Sequence, residues 1–301
     1  PKEQCVSFNK MLFPTNMTFY EVNIDGFETG VHISNETYSD TPLNIRFIDC
    51  NVSRTMFGYN FKSCKQVLVS GGSVDNSLSI DKMHHCVYVS AGSNYITVEN
   101  CLLKNSTGGA IHQMDADKLT KMEHNSYRDL TINNCFDGIV IVGYSLDIIV
   151  EHIRGENIGN CGGVTIKDYK ATQLPSATIH IGTGTEAHDF RHTDHYKLFR
   201  IDHCVDALIE NSEFGIDDVS FSKNKDCPDF IAIDKVGNPL DASNYEEGWV
   251  EDNCAIANVI FRNCKFSHKS NFYADIRPKS ASYQSLNFVF DKCEFSVYRE
   301  S

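Results

Sequence analysis

A short motif recurs along this chain and narrows its possible folds more than any other feature. It reads Leu43-Asn-Ile-Arg-Phe-Ile-Asp-Cys-Asn-Val52, then Asn94-Tyr-Ile-Thr-Val-Glu-Asn-Cys-Leu-Leu103 and Leu130-Thr-Ile-Asn-Asn-Cys-Phe136. It returns as Ala207-Leu-Ile-Glu-Asn-Ser-Glu-Phe214, Val259-Ile-Phe-Arg-Asn-Cys-Lys-Phe266 and Phe288-Val-Phe-Asp-Lys-Cys-Glu-Phe295. Each copy is a few alternating residues, a polar corner, a small residue and more apolar ones. Alternation with period two means strand, and the polar corner means a bend.

A second element follows several copies: Gly30-Val-His-Ile33, Gly58-Tyr-Asn-Phe61, Gly138-Ile-Val-Ile141 and Gly163-Val-Thr-Ile166, with Gly108-Gly-Ala-Ile111 close to it. Glycine is read here as the residue that takes the backbone angles of the turn into a strand. One repeat is then strand, corner, strand, loop and Gly-led strand. The corner residues Gly26, Cys50, Gly72 and Cys101 recur at the spacing of a solenoid repeat. The stretches lack the 3.6-residue spacing of helical repeats. The leucine-rich consensus is absent, and the hairpin dipeptides of a sandwich fall at positions already assigned.

The fold expected is all-β: one right-handed parallel β-helix, a solenoid of about 9–11 coils. It forms a single domain over 1–301, with loop insertions near 168–197 and 223–257. Corner Asn side chains are expected to stack in a ladder, Asn100, Asn134 and Asn263 aligned, with a column of small thiols beside them.

Composition limits the partners. The net charge of −13, from 27 Lys+Arg against 40 Asp+Glu, opposes nucleic-acid phosphate, so no nucleic-acid partner is expected. No apolar run reaches the roughly 18 residues that suggest a membrane span. The 12 cysteines lie mostly after an Asn or Asp and form no Cys-x-x-Cys, which favours free buried thiols over disulfides or zinc. The abrupt opening at Pro1 and the close after Phe295 lead us to expect a piece of a longer chain, with association into a homotrimer covering the sticky coil ends.

The corner Asn-Cys and the Gly-led strand resemble the pectate-lyase-like superfamily of parallel β-helices over roughly residues 20 to 295. Among its members the chain looks most like a bacteriophage tailspike, made in bacterial cytoplasm and placed on the virion tail or outside the cell. The resemblance implies a polysaccharide laid across the Gly-led sheet and no cofactor. The expected function is a depolymerase hydrolysing a bacterial surface glycan. A lyase acting on a uronate glycan and a non-catalytic binding fibre are the alternatives.

On that sheet, alternation puts His32, Asn60, His112, Thr165, Lys167, His180 and Asp234 outward. Asp217 and Asp218 are candidate catalytic acids, because glycoside hydrolysis needs one carboxyl to donate a proton and a second to attack or activate water. The polygalacturonase motifs Gly-His-Gly and Arg-Ile-Lys are missing, and Arg277-Pro-Lys279 is a distant echo of the second. Tyr273, Asp275 and Arg277 share one strand face, with Asp275 a third catalytic candidate and Arg277 able to grip an acidic sugar. Lys167, His180 and the only tryptophan, Trp249, are candidate substrate contacts. His188, His192 and His195 recur at helical spacing but are read as a polar loop, and no metal is expected.

Overall fold

The structure is a computed structural model. It describes residues 4–9, 16–35, 42–80, 84–114, 122–135, 137–142, 145–146, 148–158, 164–174, 178–182, 197–202, 206–211, 213–216, 229–234, 256–268, 274–277 and 285–297. The described chain is all strand, turn and bend, with no helix. It is a parallel β-solenoid that stacks about five turns before its first irregularity.

Two large sheets run along the axis. The first stacks Gln4–Asn9, Thr29–Ser34, Phe57–Lys62, Val87–Ser90, Gly109–Met114 and Asp137–Val142, each parallel to the next. The second takes two strands from each turn, such as Ile45–Ile48 and Asn51–Ser53, or Asn94–Glu99 and Leu102–Lys104. Strand partners on successive turns of the first stack lie 22 to 29 residues apart, the period of the sequence motif.

Alternation decides what is inside. In Thr29–Ser34, Val31 and Ile33 are buried while His32 and Ser34 are half-buried, and Tyr59 and Phe61 repeat the pattern one turn on. The interior is a column of such side chains, including Phe47, Val69, Val98, Ile132 and Val150. Rings stack along it, with Phe19 and Phe47 4.9 Å apart at 8° and Phe261 and Phe290 5.3 Å apart. Because each turn hides its inward residues only against its neighbours, stability accumulates along one axis.

The corners explain the Asn-Cys motif. The corner after the first strand of each second-sheet pair holds one residue at left-handed φ: Glu21 (52°), Asp49 (50°), Gly71 (76°), Asn100 (55°), Asp129 (50°) and His152 (55°). Asn and Asp tolerate that region better than other residues that carry a side chain. The next position faces inward, and a Cys there donates its thiol to backbone carbonyls that the bend exposes. Cys101 Sγ donates to Glu99 O (3.0 Å) and Gly71 O (3.3 Å), and Cys264 Sγ to Arg262 O (3.3 Å). Cys50, Cys64, Cys86, Cys101, Cys135 and Cys264 are buried and free. Burial pushes the thiols of Cys64 and Cys101 up to about 12.

The single Asn ladder expected from sequence is two ladders. Asn263 donates to Asn211 (2.7 Å) at the first corner, the one Asn100 occupies in the earlier turns. Asn134 belongs to the next corner, after Thr131–Asn133, where it donates to Asn105 (2.9 Å) and Asn105 donates to Asp75 (3.0 Å). Both corners need left-handed backbone, so both select Asn, and the dipeptide cannot tell them apart. Asp25 and Arg54 form an ion pair at that second corner, and the Arg54 hydrogen bond holds the Asp25 carboxyl down at about 2.

The glycine of the Gly-led strand also has a different cause from the one expected. Gly30 and Gly58 do not adopt left-handed φ; they are required for space. A Cβ on Gly58 would overlap the Cys86 carbonyl oxygen and a Val74 methyl, and one on Gly30 would overlap Val52.

Among the described residues the parallel stack is interrupted by one reversed layer. Ile148–Ile158 pairs antiparallel with Val164–Leu174, and Asp137–Val142 pairs antiparallel with Thr178–Gly182. These reversed strands then pair antiparallel with Asp206–Glu210, Glu213–Ile216 and Lys197–Asp202, so the original direction resumes. A second parallel stack follows in both sheets. The interval 168–197, read from sequence as a loop, therefore carries strand as far as Leu174 and again over Thr178–Gly182.

Candidate functional site

The first sheet lines up chemically useful side chains because parallel strands in register place equivalent residues one above another. His32 pairs with Asn60, Asn60 with Tyr88, Tyr88 with His112 and His112 with Val140. All occupy the outward set of the alternation. His32, Asn60 and Tyr88 are half-buried, while His112 is only 2% exposed.

An aromatic cluster covers the middle of this column. The His85 ring meets His112 edge-on at 4.2 Å and stacks on Tyr88 at 5.5 Å, and Tyr88 meets His112 at 5.5 Å. Phe57 packs against His84 at 5.0 Å. The backbone N–H of Gly109 donates to His85 Nδ1 (2.8 Å). That nitrogen must therefore be unprotonated, which makes His85 a neutral imidazole with its proton on Nε2. At the near end, burial and the charge of Lys62 together lower the His32 pKa.

Beyond the reversed strand the same register continues. His180 pairs with Arg200, Arg200 with Ala232 and Ala232 with Asp275. Two residues along, Thr178 pairs with Asp202, Asp202 with Asp234 and Asp234 with Arg277. The fold thus brings His180, Asp275 and Arg277 to one sheet, with Arg200 and Asp202 on strands between them. Asp202 and Asp234 are direct partners on adjacent strands, a spacing of about 4.8 Å between chains. Sequence reasoning missed Asp202, although Phe199-Arg-Ile-Asp202 carries the same alternation as its neighbours. It also missed Tyr88, whose strand has Cys86 where others have glycine.

Lys167 is placed elsewhere. Together with Thr165 it lies on Val164–Leu174 in the second sheet, where Lys167 pairs with Glu213. Asp217, Asp218, Trp249, Tyr273 and the histidines at 188, 192 and 195 lie outside the described residues. Among the described residues no group of three His, Cys, Asp or Glu is arranged to hold a metal.

Such a face is a linear array: rings, amides, imidazoles and, further along, acids and arginines repeat at the strand spacing of the solenoid. The chain is a parallel β-solenoid, an architecture consistent with a pectate-lyase-like fold, and β-helices of this kind are common among polysaccharide-acting proteins. Comparison with protein-family models, with curated proteins and with solved structures finds no match to it.

Proposed function

We propose that the chain is a tailspike-type depolymerase that holds a bacterial surface polysaccharide along the first sheet and hydrolyses it. The observation that supports this reading is the strand register that links His32, Asn60, Tyr88 and His112 on successive parallel turns and, across the reversed strand and its one register shift, leads on to His180, Arg200 and Asp275. The acids cluster at one end of the column, so binding and cleavage divide along the axis. Asp202 and Asp234 on adjacent strands suit the close pair of a retaining glycosidase, about 5–5.5 Å between carboxyls. Asp275 lies diagonally across from Asp234, at about 7–8 Å, a spacing nearer the inverting range. Asp217 and Asp218 remain proposed acids of the same end. Arg277 and His180 are proposed contacts to the sugar, as are Tyr273 and Trp249. Lys167 would meet a polymer that crosses onto the second sheet. We further propose a homotrimer carried on a virion tail or otherwise outside the cell.

The test is incubation of the protein with a panel of capsular polysaccharides and lipopolysaccharides, with product release followed by mass spectrometry. Saturated oligosaccharides from at least one glycan are expected, and Asp234→Asn should lower their rate of release by at least a hundredfold. Products bearing an unsaturated uronate end would replace hydrolysis with lyase chemistry. Binding without any product from the whole panel would leave a glycan-binding fibre.

A further inference from the structure

The second sheet carries a depression that the depolymerase reading does not use. It has a volume of about 370 Å³, at the low end of ligand pockets, and lies across three consecutive turns at Ile45–Ile48, Lys65–Ser70 and Asn94–Glu99. Its side-chain lining is Asn44, Arg46, Gln66, Leu68, Tyr95 and Thr97.

Asn44 (φ 49°), Gln66 (64°) and Tyr95 (56°) sit at equivalent positions of the three turns, and each takes the left-handed conformation just before or at the start of its strand. The same corner is left-handed in the adjoining turns, at Asn16 (61°) and His124 (58°), so the depression lies along a bend that the solenoid repeats. The rim is fixed in place. Tyr95 stacks on His124 at 4.7 Å and lies under the Lys65 ammonium at 5.4 Å from its centroid, while Asn44 donates to Asn16 (2.6 Å).

Its charge runs against that of the protein. In a chain of net charge −13, no carboxylate lines this depression; the charged group in its lining is the Arg46 guanidinium, with the Lys65 ammonium over Tyr95 at the rim. Arg46 is exposed and its side chain makes no ion pair or hydrogen bond among the described residues. The lining thus offers one planar cation, amide and hydroxyl groups, and an apolar floor at Leu68.

We infer that this depression binds a carboxylate-bearing sugar unit of an acidic polysaccharide, as an anchoring site separate from the column on the first sheet. Arg46 pairs bidentately with the carboxylate. Asn44 Oδ1, Gln66 and Thr97 exchange hydrogen bonds with ring hydroxyls, and Leu68 takes the C–H face of the ring. The inference rests on the polysaccharide reading above and adds the charge of the glycan to it.

Calorimetric titration of the full chain with trigalacturonate, with a neutral glucose trisaccharide and with inorganic sulfate tests the assignment. Trigalacturonate should bind at least tenfold more tightly than either control, and Arg46→Met should weaken it at least tenfold with the circular dichroism spectrum unchanged. Thr97→Val, which keeps the shape and removes a hydroxyl, should weaken it by a smaller factor. Equal binding to wild type and Arg46→Met overturns the site, and sulfate binding as tight as trigalacturonate reduces it to a simple anion site. The two readings fail separately. Arg46-dependent binding without cleavage of any polymer sinks the depolymerase alone, and cleavage with an Arg46-independent titration sinks the anchor alone.

Discussion

At the scale of single residues, the interior is not uniformly apolar, and part of its polar content forms one hydrogen-bonded network. Gln113 and Asn125 are fully buried. Tyr127 donates its hydroxyl to Gln113 Oε1 (2.6 Å), and Asn125 donates to the same oxygen (3.1 Å) and to Ser93 O (3.0 Å). Asn125 Oδ1 in turn accepts from Ile96 N (2.8 Å), which ties the side-chain network to a backbone corner. Gln113→Leu keeps the volume but strips both donors of their acceptor. It should cost about 1–3 kcal/mol, read as a lower urea midpoint at unchanged slope. An unchanged midpoint would show that the network reorganises around the loss. His32 gives a pH test. Burial and Lys62 lower its folded pKa, so the unfolded chain binds the proton more readily. The resulting penalty is absent above the unfolded pKa of about 6.5 and grows as pH falls through that value toward the folded pKa. A nuclear magnetic resonance titration should place the His32 midpoint below 6.5, and His32→Asn should flatten stability against pH in that window. A midpoint at or above the ordinary value would contradict the burial.

At the scale of elements, the Gly-led strand is the clearest case of sequence and structure agreeing on a residue for different reasons. Glycine there makes room for the carbonyl of the neighbouring turn, and backbone angle plays no part. Gly58→Ala should therefore destabilise by about 1–3 kcal/mol, since the Cys86 carbonyl belongs to a ladder that cannot move alone. Thermal unfolding of that variant at the wild-type midpoint would mean the turns can slide apart. The strands, their alternation and their stacking were legible because a period of two and a polar corner leave a direct trace in the sequence. Which of two corners an Asn occupies was not legible, since Asn105 and Asn100 satisfy the same backbone demand in the same chemical context. Strand direction was not legible either: Gly163-Val-Thr-Ile166 has the motif of a first-sheet strand, yet the chain has turned back and laid it in the second. The candidate site was half visible. His32, Asn60 and His112 follow from the motif, whereas the contact of His85 with Tyr88 and His112 arises from three-dimensional packing.

At the scale of the whole molecule, the reversed strands divide the solenoid into two parallel stacks joined through one antiparallel layer. In a quasi-one-dimensional fold, cooperativity is transmitted by nearest-neighbour contacts, so the weakest interface sets where it stops. Ladder regularity is poorest at that layer. The pairing of Ile148–Ile158 with Val164–Leu174 shifts register three times, and Asp137–Val142 against Thr178–Gly182 shifts once. On either side the turns are in unbroken register, as from Ile45 to Val67 to Ile96, or from Val259 to Phe288. Each shift leaves ladder groups without a strand partner and tilts the inward side chains of one turn away from those of the next. Hydrogen exchange in rising denaturant should therefore reveal two cooperative units, amides of 45–133 losing protection together and those of 256–291 losing it at a different denaturant concentration. Gly58→Ala, placed in the first unit, should lower the midpoint of that unit and leave the second nearly unchanged. If both units shift equally, the reversed layer transmits coupling as well as the parallel turns do, and the solenoid folds as one body.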